Sequence, residues 1–139
     1  MGKINLGKVV VGGLLAGLVL NVVDYVMHGI FLKADWAAAM TAAGKVANMD
    51  AGVPYYVTFD FLTGILFVWV YAAVRPRFGP GVKTAVIAGL TGWALVCLIP
   101  TLFQVPSGML PMNLLTIPLV VSLVSQPVAT VAGAAVYKE

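Results

Sequence analysis

Four residues with side chains that can carry protons or bind cations lie inside otherwise apolar segments of the sequence. Asn21, Asp24 and His28 interrupt the first long apolar run, and Asp60 interrupts the second. Polar and ionisable groups are costly inside a membrane, so they face a bundle interior and mark sites of ion, proton or partner contact. We call these four residues the polar cluster and treat them as the candidate functional site.

The two carboxyl groups of the polar cluster are expected at the same depth. Asp24 lies eight residues before Leu32, where its apolar run ends, and eight residues correspond to ~12 Å along a helix. Asp60 lies seven residues from Val53, which is ~10 Å. Two carboxylates in a medium of low dielectric constant cannot both stay charged cheaply. Either one is protonated, or a cation lies between them, or His28 bridges them as imidazolium.

Several chemical interpretations of the polar cluster follow from its residue types. It is either a hydrogen-bonded knot that holds helices together or a proton- or cation-coupled site. Asp24, His28 and Asp60 are few ligands for a metal, so we expect none. We also expect no cofactor. His28 is the only histidine, which excludes a haem held by two histidines and leaves at most one axial histidine ligand to a haem or similar pigment. The sequence shows no nucleophile–base pair and no phosphate loop, so we expect no enzyme activity.

The composition indicates what must position this cluster. Of the 139 residues, 61% are hydrophobic and 9% are charged, too few to cover a water-facing surface. The net charge of +3 comes from scattered basic residues, which excludes a nucleic-acid-binding face. Cys97 is the single cysteine and is interpreted as a small hydrophobic side chain. These features predict an integral membrane protein.

The second half of the chain determines the number of spans. No charged residue lies among the 54 residues between Lys83 and Lys138, and one helix of that length would measure about 80 Å against ~30 Å of hydrocarbon. It must cross twice, with a turn at the Pro- and Gly-rich residues 104–111. We therefore predict a single all-α domain over residues 1–139, an antiparallel bundle of four transmembrane helices at about 9–32, 53–74, 84–103 and 112–136.

The loops predict the orientation of the bundle. Most basic residues fall on one side, which the positive-inside rule assigns to the cytoplasm together with both termini; they are Lys3, Lys8, Arg75, Arg77, Lys83 and Lys138. Lys33 and Lys45 fall outside. No cleavage site of small residues precedes Asp24, so we expect the first helix to be retained.

An interfacial helix is predicted in the outer linker over residues 35–47. Asp35 is its expected N-cap, and Trp36 is its expected anchor at the membrane surface. Trp36, Met40, Ala43 and Ala47 recur at helical spacing.

Glycines are the expected helix-packing positions, because small residues let helices approach closely in a membrane. Gly13 and Gly17 share a helix face with the polar cluster. The other candidates are Gly64 in the second span and Gly89 and Gly92 in the third.

Two stretches of the chain resemble small uncharacterised bacterial four-helix membrane proteins. The first covers residues 71–81 and ends in RPRFGPG; the second runs from Asn21 to His28 and is followed by Trp36. The resemblance implies a bacterial inner (plasma) membrane and no particular activity. The chain has short loops and wide apolar faces. We therefore expect a non-enzymatic accessory subunit or assembly factor of a larger membrane complex, whose partners are the lipid bilayer and other subunits or its own copies. The alternative is a small oligomeric proton- or cation-coupled transporter that works through Asp24 and Asp60.

Overall fold

The computed structural model describes residues 3–46, 48 and 50–137, and every regular element in these residues is helical. Ala47 and Lys138, which entered the predictions above, lie outside the described residues. Apart from a short 3-10 turn at Asp50–Gly52, these residues form five helices, which are α1 (Leu6–Phe31), α2 (Lys33–Ala42), α3 (Val53–Phe78), α4 (Val82–Ser107) and α5 (Met112–Val136).

Four of these helices are long and apolar enough to cross a membrane. The most apolar 18-residue windows of α1, α3, α4 and α5 have mean hydropathies between 1.8 and 2.1. Many large hydrophobic side chains on these helices face outward, such as Leu18, Leu62 and Val124. The all-α fold with four long apolar helices therefore agrees with the sequence-based prediction.

The ends of the helices differ from the prediction where a helix breaker lies in a terminal turn. The second span was expected to end at Val74, yet α3 continues through Pro76 to Phe78. A proline in the last turn removes one hydrogen bond while the rest of the helix is intact. The helix ends instead at Gly79, whose φ of 82° is a conformation that glycine adopts without steric cost.

The long helices pack antiparallel in the order α1, α3, α4, α5, and α5 closes the ring against α1. The pairing of α1 with α3 shows the direction, since Gly13 lies opposite Ile65 and Gly17 lies opposite Phe61. Across the ring, Gly89 of α4 lies opposite Pro127 of α5. This is the up-and-down arrangement that short connections favour.

The bundle is tightly packed at one end, which we call the closed half. It comprises the first part of α1, the last part of α3, the first part of α4 and the last part of α5. Its core centres on Phe67 and Val68, both 0% exposed. At its rim the Tyr137 hydroxyl accepts a hydrogen bond from the backbone N–H of Asn5 (3.2 Å), and Arg75 lies over the Tyr137 ring, 5.6 Å from its centroid. Asn5 before α1, Tyr137 after α5 and the last turn of α3 therefore meet at this end.

The other end, which we call the open half, is loosely packed. Residues 53–63 of α3 and residues 93–107 of α4 are all described, and none of them is buried. Two helices also widen here into π-helix, α1 over Tyr25–Phe31 and α4 over Ala94–Leu98. The second widening precedes Pro100, whose ring would clash with the carbonyl four residues earlier in a regular helix. π-Helical turns are rare and often lie at functional sites.

The outer linker contains a helix, α2, but its start, its end and its cap differ from the predicted helix over residues 35–47. The helix covers Lys33–Ala42, with Leu32 at the N-cap position and no side-chain cap. The prediction that Asp35 is the N-cap is wrong, because Asp35 lies in the first turn. Its Oδ1 accepts a hydrogen bond from Asn113 Nδ2 of α5 (2.9 Å). No residue of α2 is buried, so the helix lies on the outside of the bundle.

Candidate functional site

The polar cluster is positioned by a close approach of α1 and α3. A Cβ atom on Gly64 would collide with the Gly13 carbonyl oxygen and the Gly17 nitrogen, and a Cβ on Gly17 would lie 2.7 Å from the Phe61 Cα. Only residues without a Cβ atom allow two helix backbones to approach this closely. The glycines thus set the separation of the two helices one to two turns from the carboxyl groups.

Asn21 joins the two helices at the edge of the open half. Its Nδ2 donates to the Gly17 carbonyl in its own helix (2.9 Å) and to the Val57 carbonyl of α3 (3.3 Å). The contact lies one turn beyond the glycine contact along α1. It therefore extends the α1–α3 pairing into the open half with hydrogen bonds in place of close packing.

Asp24 and Asp60 face each other between α1 and α3, as their matched depth predicted. Their side chains lie close enough to interact directly, and both residues are half-buried. Because a carboxylate can only accept hydrogen bonds, a hydrogen bond between them needs one proton on one of the two carboxyl groups. Chemically, the pair can bind one proton, release it, or exchange it for another cation.

His28 lies one turn beyond Asp24, within electrostatic range of its carboxyl group. Its Nδ1 accepts a hydrogen bond from the indole Nε1 of Trp36 (3.0 Å), and the two rings are 5.9 Å apart. A ring nitrogen that accepts a hydrogen bond carries no proton, so this histidine is the neutral tautomer with its proton on Nε2. The geometry thus disfavours the alternative in which imidazolium bridges the carboxylates, and it turns Trp36 toward the bundle.

Further polar residues from α4 and α5 line the same region, and the sequence did not indicate that they belong to the site. The Cys97 thiol is within electrostatic range of Asp24, and Gln126 Nε2 donates to its sulfur (2.9 Å). Trp93 Nε1 donates to Ser122 Oγ (3.1 Å) and to the Leu119 carbonyl (3.2 Å). The one available signal was that Gln126 lies far from both ends of an otherwise apolar helix.

Two buried polar atoms close to this region have no hydrogen-bond partner among the described residues. They are Ser125 Oγ and Gln126 Oε1, on residues that are 8% and 7% exposed. Buried polar groups in proteins are nearly always satisfied by protein atoms or ordered water. The interior of the bundle next to Cys97 therefore has hydrogen-bonding capacity that the chain itself does not use.

The remaining predicted packing glycines lie on α4 and contact two different helices. A Cβ on Gly89 would lie 2.6 Å from the Pro127 Cα of α5, and a Cβ on Gly92 would enter the Phe67 ring of α3. Both contacts belong to the closed half.

Among the described residues there is no group of three or more histidine, cysteine or acidic side chains placed to hold a metal ion.

Comparisons of the sequence with protein-family models and curated proteins, and of the structure with solved structures, return no match. The function must therefore be argued from the arrangement of the two halves and of the polar cluster.

Proposed function

We propose that this chain is a multi-pass protein of a bacterial inner membrane, with α1, α3, α4 and α5 as the spans and both termini in the cytoplasm. The apolar outer surface of these helices supports insertion, and the resemblance noted above supports the bacterial membrane. The orientation is supported by Arg75, Arg77 and Lys83, which lie in and beside the α3–α4 turn of the closed half, where Arg75 contacts Tyr137.

Reporter fusions test this topology. Fusions after residue 80 and after residue 139 should both report the cytoplasm, and a fusion near Lys45 should report the outside. Any two fusions in the opposite compartment would overturn the arrangement of the spans.

Within the membrane, we propose a non-enzymatic role as a small subunit or assembly factor of a larger complex. One observation carries this proposal: Asp24 and Asp60 are only half-buried, and they lie in the open half, where neither α3 nor α4 has a buried residue. Polar groups at membrane depth face protein or water and not lipid. A partner that covers the open half would complete their burial.

Photocrosslinking compares the two halves directly. A photoreactive amino acid at Leu95, 61% exposed in the open half, should crosslink to a partner subunit. The matched position is Val11, 55% exposed in the closed half, which should crosslink to lipid only. The native mass of the detergent-extracted protein should then correspond to a heteromeric complex. A monomer that crosslinks equally at both positions would contradict the proposal.

A second candidate function is a small oligomeric transporter coupled to protons or cations. The observation that favours it is the close approach of the Asp24 and Asp60 carboxyl groups, a pair that can share one exchangeable proton. In proteoliposomes, Asp24→Asn should preserve the fold and abolish proton or cation flux, because an amide cannot titrate. Asp50→Asn, an exposed carboxylate outside the pair, is the control and should leave the flux unchanged. Absence of flux in the unaltered protein would remove this candidate, whereas a homodimeric native mass would support it.

A further inference from the structure

An apolar groove runs along the side of the open half, and neither Asp24 nor Asp60 lines it. It has a volume of about 550 Å³ and is walled by α1, α2 and α5. Its wall on α1 extends from Val22 to Phe31 and its wall on α5 contains Ile117 and Val121. A smaller apolar depression on α5 shares Ile117 and Val121 with it.

The groove has the depth of one lipid leaflet. Val22 and Phe31 are nine residues apart, which corresponds to roughly 14 Å along a helix, about half of the ~30 Å hydrocarbon thickness. The groove begins at the outer end of α1 and ends near the middle of the span. A single acyl chain of the adjacent leaflet matches this length and this apolar lining.

One charged residue lines the groove, and it lies at the outer end. Asp35 follows α1 by four residues, and its Oδ1 is fixed by Asn113 Nδ2. A carboxylate held at the mouth of an apolar groove complements a cationic group on the molecule that fills the groove. A primary ammonium offers three N–H donors for it, whereas a choline group offers none and a phosphatidylglycerol headgroup brings only negative charge.

We propose that this groove binds one phospholipid with a primary ammonium headgroup, with an acyl chain between α1 and α5 and the ammonium on Asp35. The site is separate from the polar cluster and rests only on the insertion of the four helices in a membrane. It would fix α2 against the bundle, since Asp35 would then link α2 both to α5 and to the lipid.

Native mass spectrometry of the full chain, delipidated in detergent, tests the proposal. The probes are phosphatidylethanolamine, its mono- and dimethyl derivatives, phosphatidylcholine and phosphatidylglycerol, all with the same acyl chains. We expect one bound phosphatidylethanolamine at least fivefold tighter than phosphatidylcholine or phosphatidylglycerol. Affinity should fall stepwise with each added methyl group. Equal affinities across the methylated series would overturn the proposal, irrespective of the affinities measured for the variants.

Variants locate the site. Asp35→Asn should bring the affinities for the ethanolamine and choline lipids within twofold of each other, while Asp50→Asn, an exposed carboxylate of the same linker, should keep the fivefold difference. Ile117→Trp should fill the groove and weaken every lipid at least fivefold, and Val124→Trp, on the same helix outside the groove, should not. A preference that survives in Asp35→Asn would overturn the assignment. Flotation with phosphatidylcholine vesicles separates this failure from a failure of insertion.

Discussion

The closed and open halves are built from the same four helices, yet different interactions hold them together. In the closed half, backbone meets backbone: a Cβ on Gly12 would lie 2.5 Å from the Gly133 carbonyl oxygen, and Gly64 lies against Gly13. In the open half, side chains make the connections, such as the contact between Asp24 and Asp60 and the hydrogen bond from Trp36 to His28. The change occurs along α1, where the small residues end at Gly17 and the polar cluster begins at Asn21.

This difference suggests that one half stabilises the bundle and that the other half is more easily opened. Helices in a membrane associate mainly through close packing and hydrogen bonds, because lipid is as apolar as their side chains. The closed half has the dense packing and should supply most of the stability. The open half has few buried contacts, and regions of that kind open at low free-energy cost. It is therefore the half in which we propose that a partner binds or a proton is exchanged.

The largest expected effect is in the closed half, on replacing Gly64 with alanine. The added Cβ would meet the backbone of Gly13 and Gly17, which cannot yield unless the helices separate. Overpacking typically costs 1–3 kcal/mol, and a collision with backbone should reach about 3 kcal/mol. Unfolding of the detergent-solubilised protein by SDS, followed by circular dichroism, measures the difference.

The control for Gly64→Ala is Gly29→Ala in the open half. There the added Cβ would meet only the movable Tyr25 ring, at 3.3 Å. We expect a change in unfolding free energy below about 1 kcal/mol, since one flexible side chain has to shift. Equal losses for the two variants would mean that the halves do not differ in packing, and the comparison would fail.

An intermediate effect is expected for Asp24→Leu. Leucine removes the polar neighbour of Asp60 and leaves that carboxyl group half-buried with nothing to hydrogen-bond at this position, which should cost about 2 kcal/mol. Asp24→Asn should cost less than about 1 kcal/mol, because the amide still forms a hydrogen bond. The same SDS unfolding measurement applies. If leucine is tolerated as well as asparagine, the pair does not stabilise the open half.

The contact of Asp24 with Asp60 could be predicted from the sequence because it depends on few quantities. The helical rise gives the depth of each residue, and the glycines on the same faces of α1 and α3 turn those faces toward each other. Asn21 follows for the same reason. The fold class was equally accessible, because the uncharged stretch after Lys83 is too long for one membrane-spanning helix and contains the Pro- and Gly-rich turn at residues 104–111.

The contributions of α4 and α5 to the site could not be predicted in this way. The π-helical turn before Pro100 changes the rotation of α4, so regular helical spacing does not show where Cys97 points. Gln126 reaches Cys97 across two helices whose relative rotation the sequence does not determine. The role of Asp35 was missed because its partner, Asn113, lies 78 residues away. A capping rule considers only neighbouring residues and therefore cannot predict such a contact.

The smallest expected effect, on replacing Trp36 with phenylalanine, tests whether α2 belongs to the open half. The ring can still pack near Met27 and Leu32, but the hydrogen bond to His28 Nδ1 is lost. The loss should lower the free energy of unfolding by about 1 kcal/mol. Trp69→Phe is the control, since Trp69 is 44% exposed and makes no side-chain hydrogen bond in the described part of the chain; it should change stability by less than half as much. Equal effects of the two substitutions would mean that α2 does not stabilise His28, and the open half would then consist of α1, α3, α4 and α5 alone.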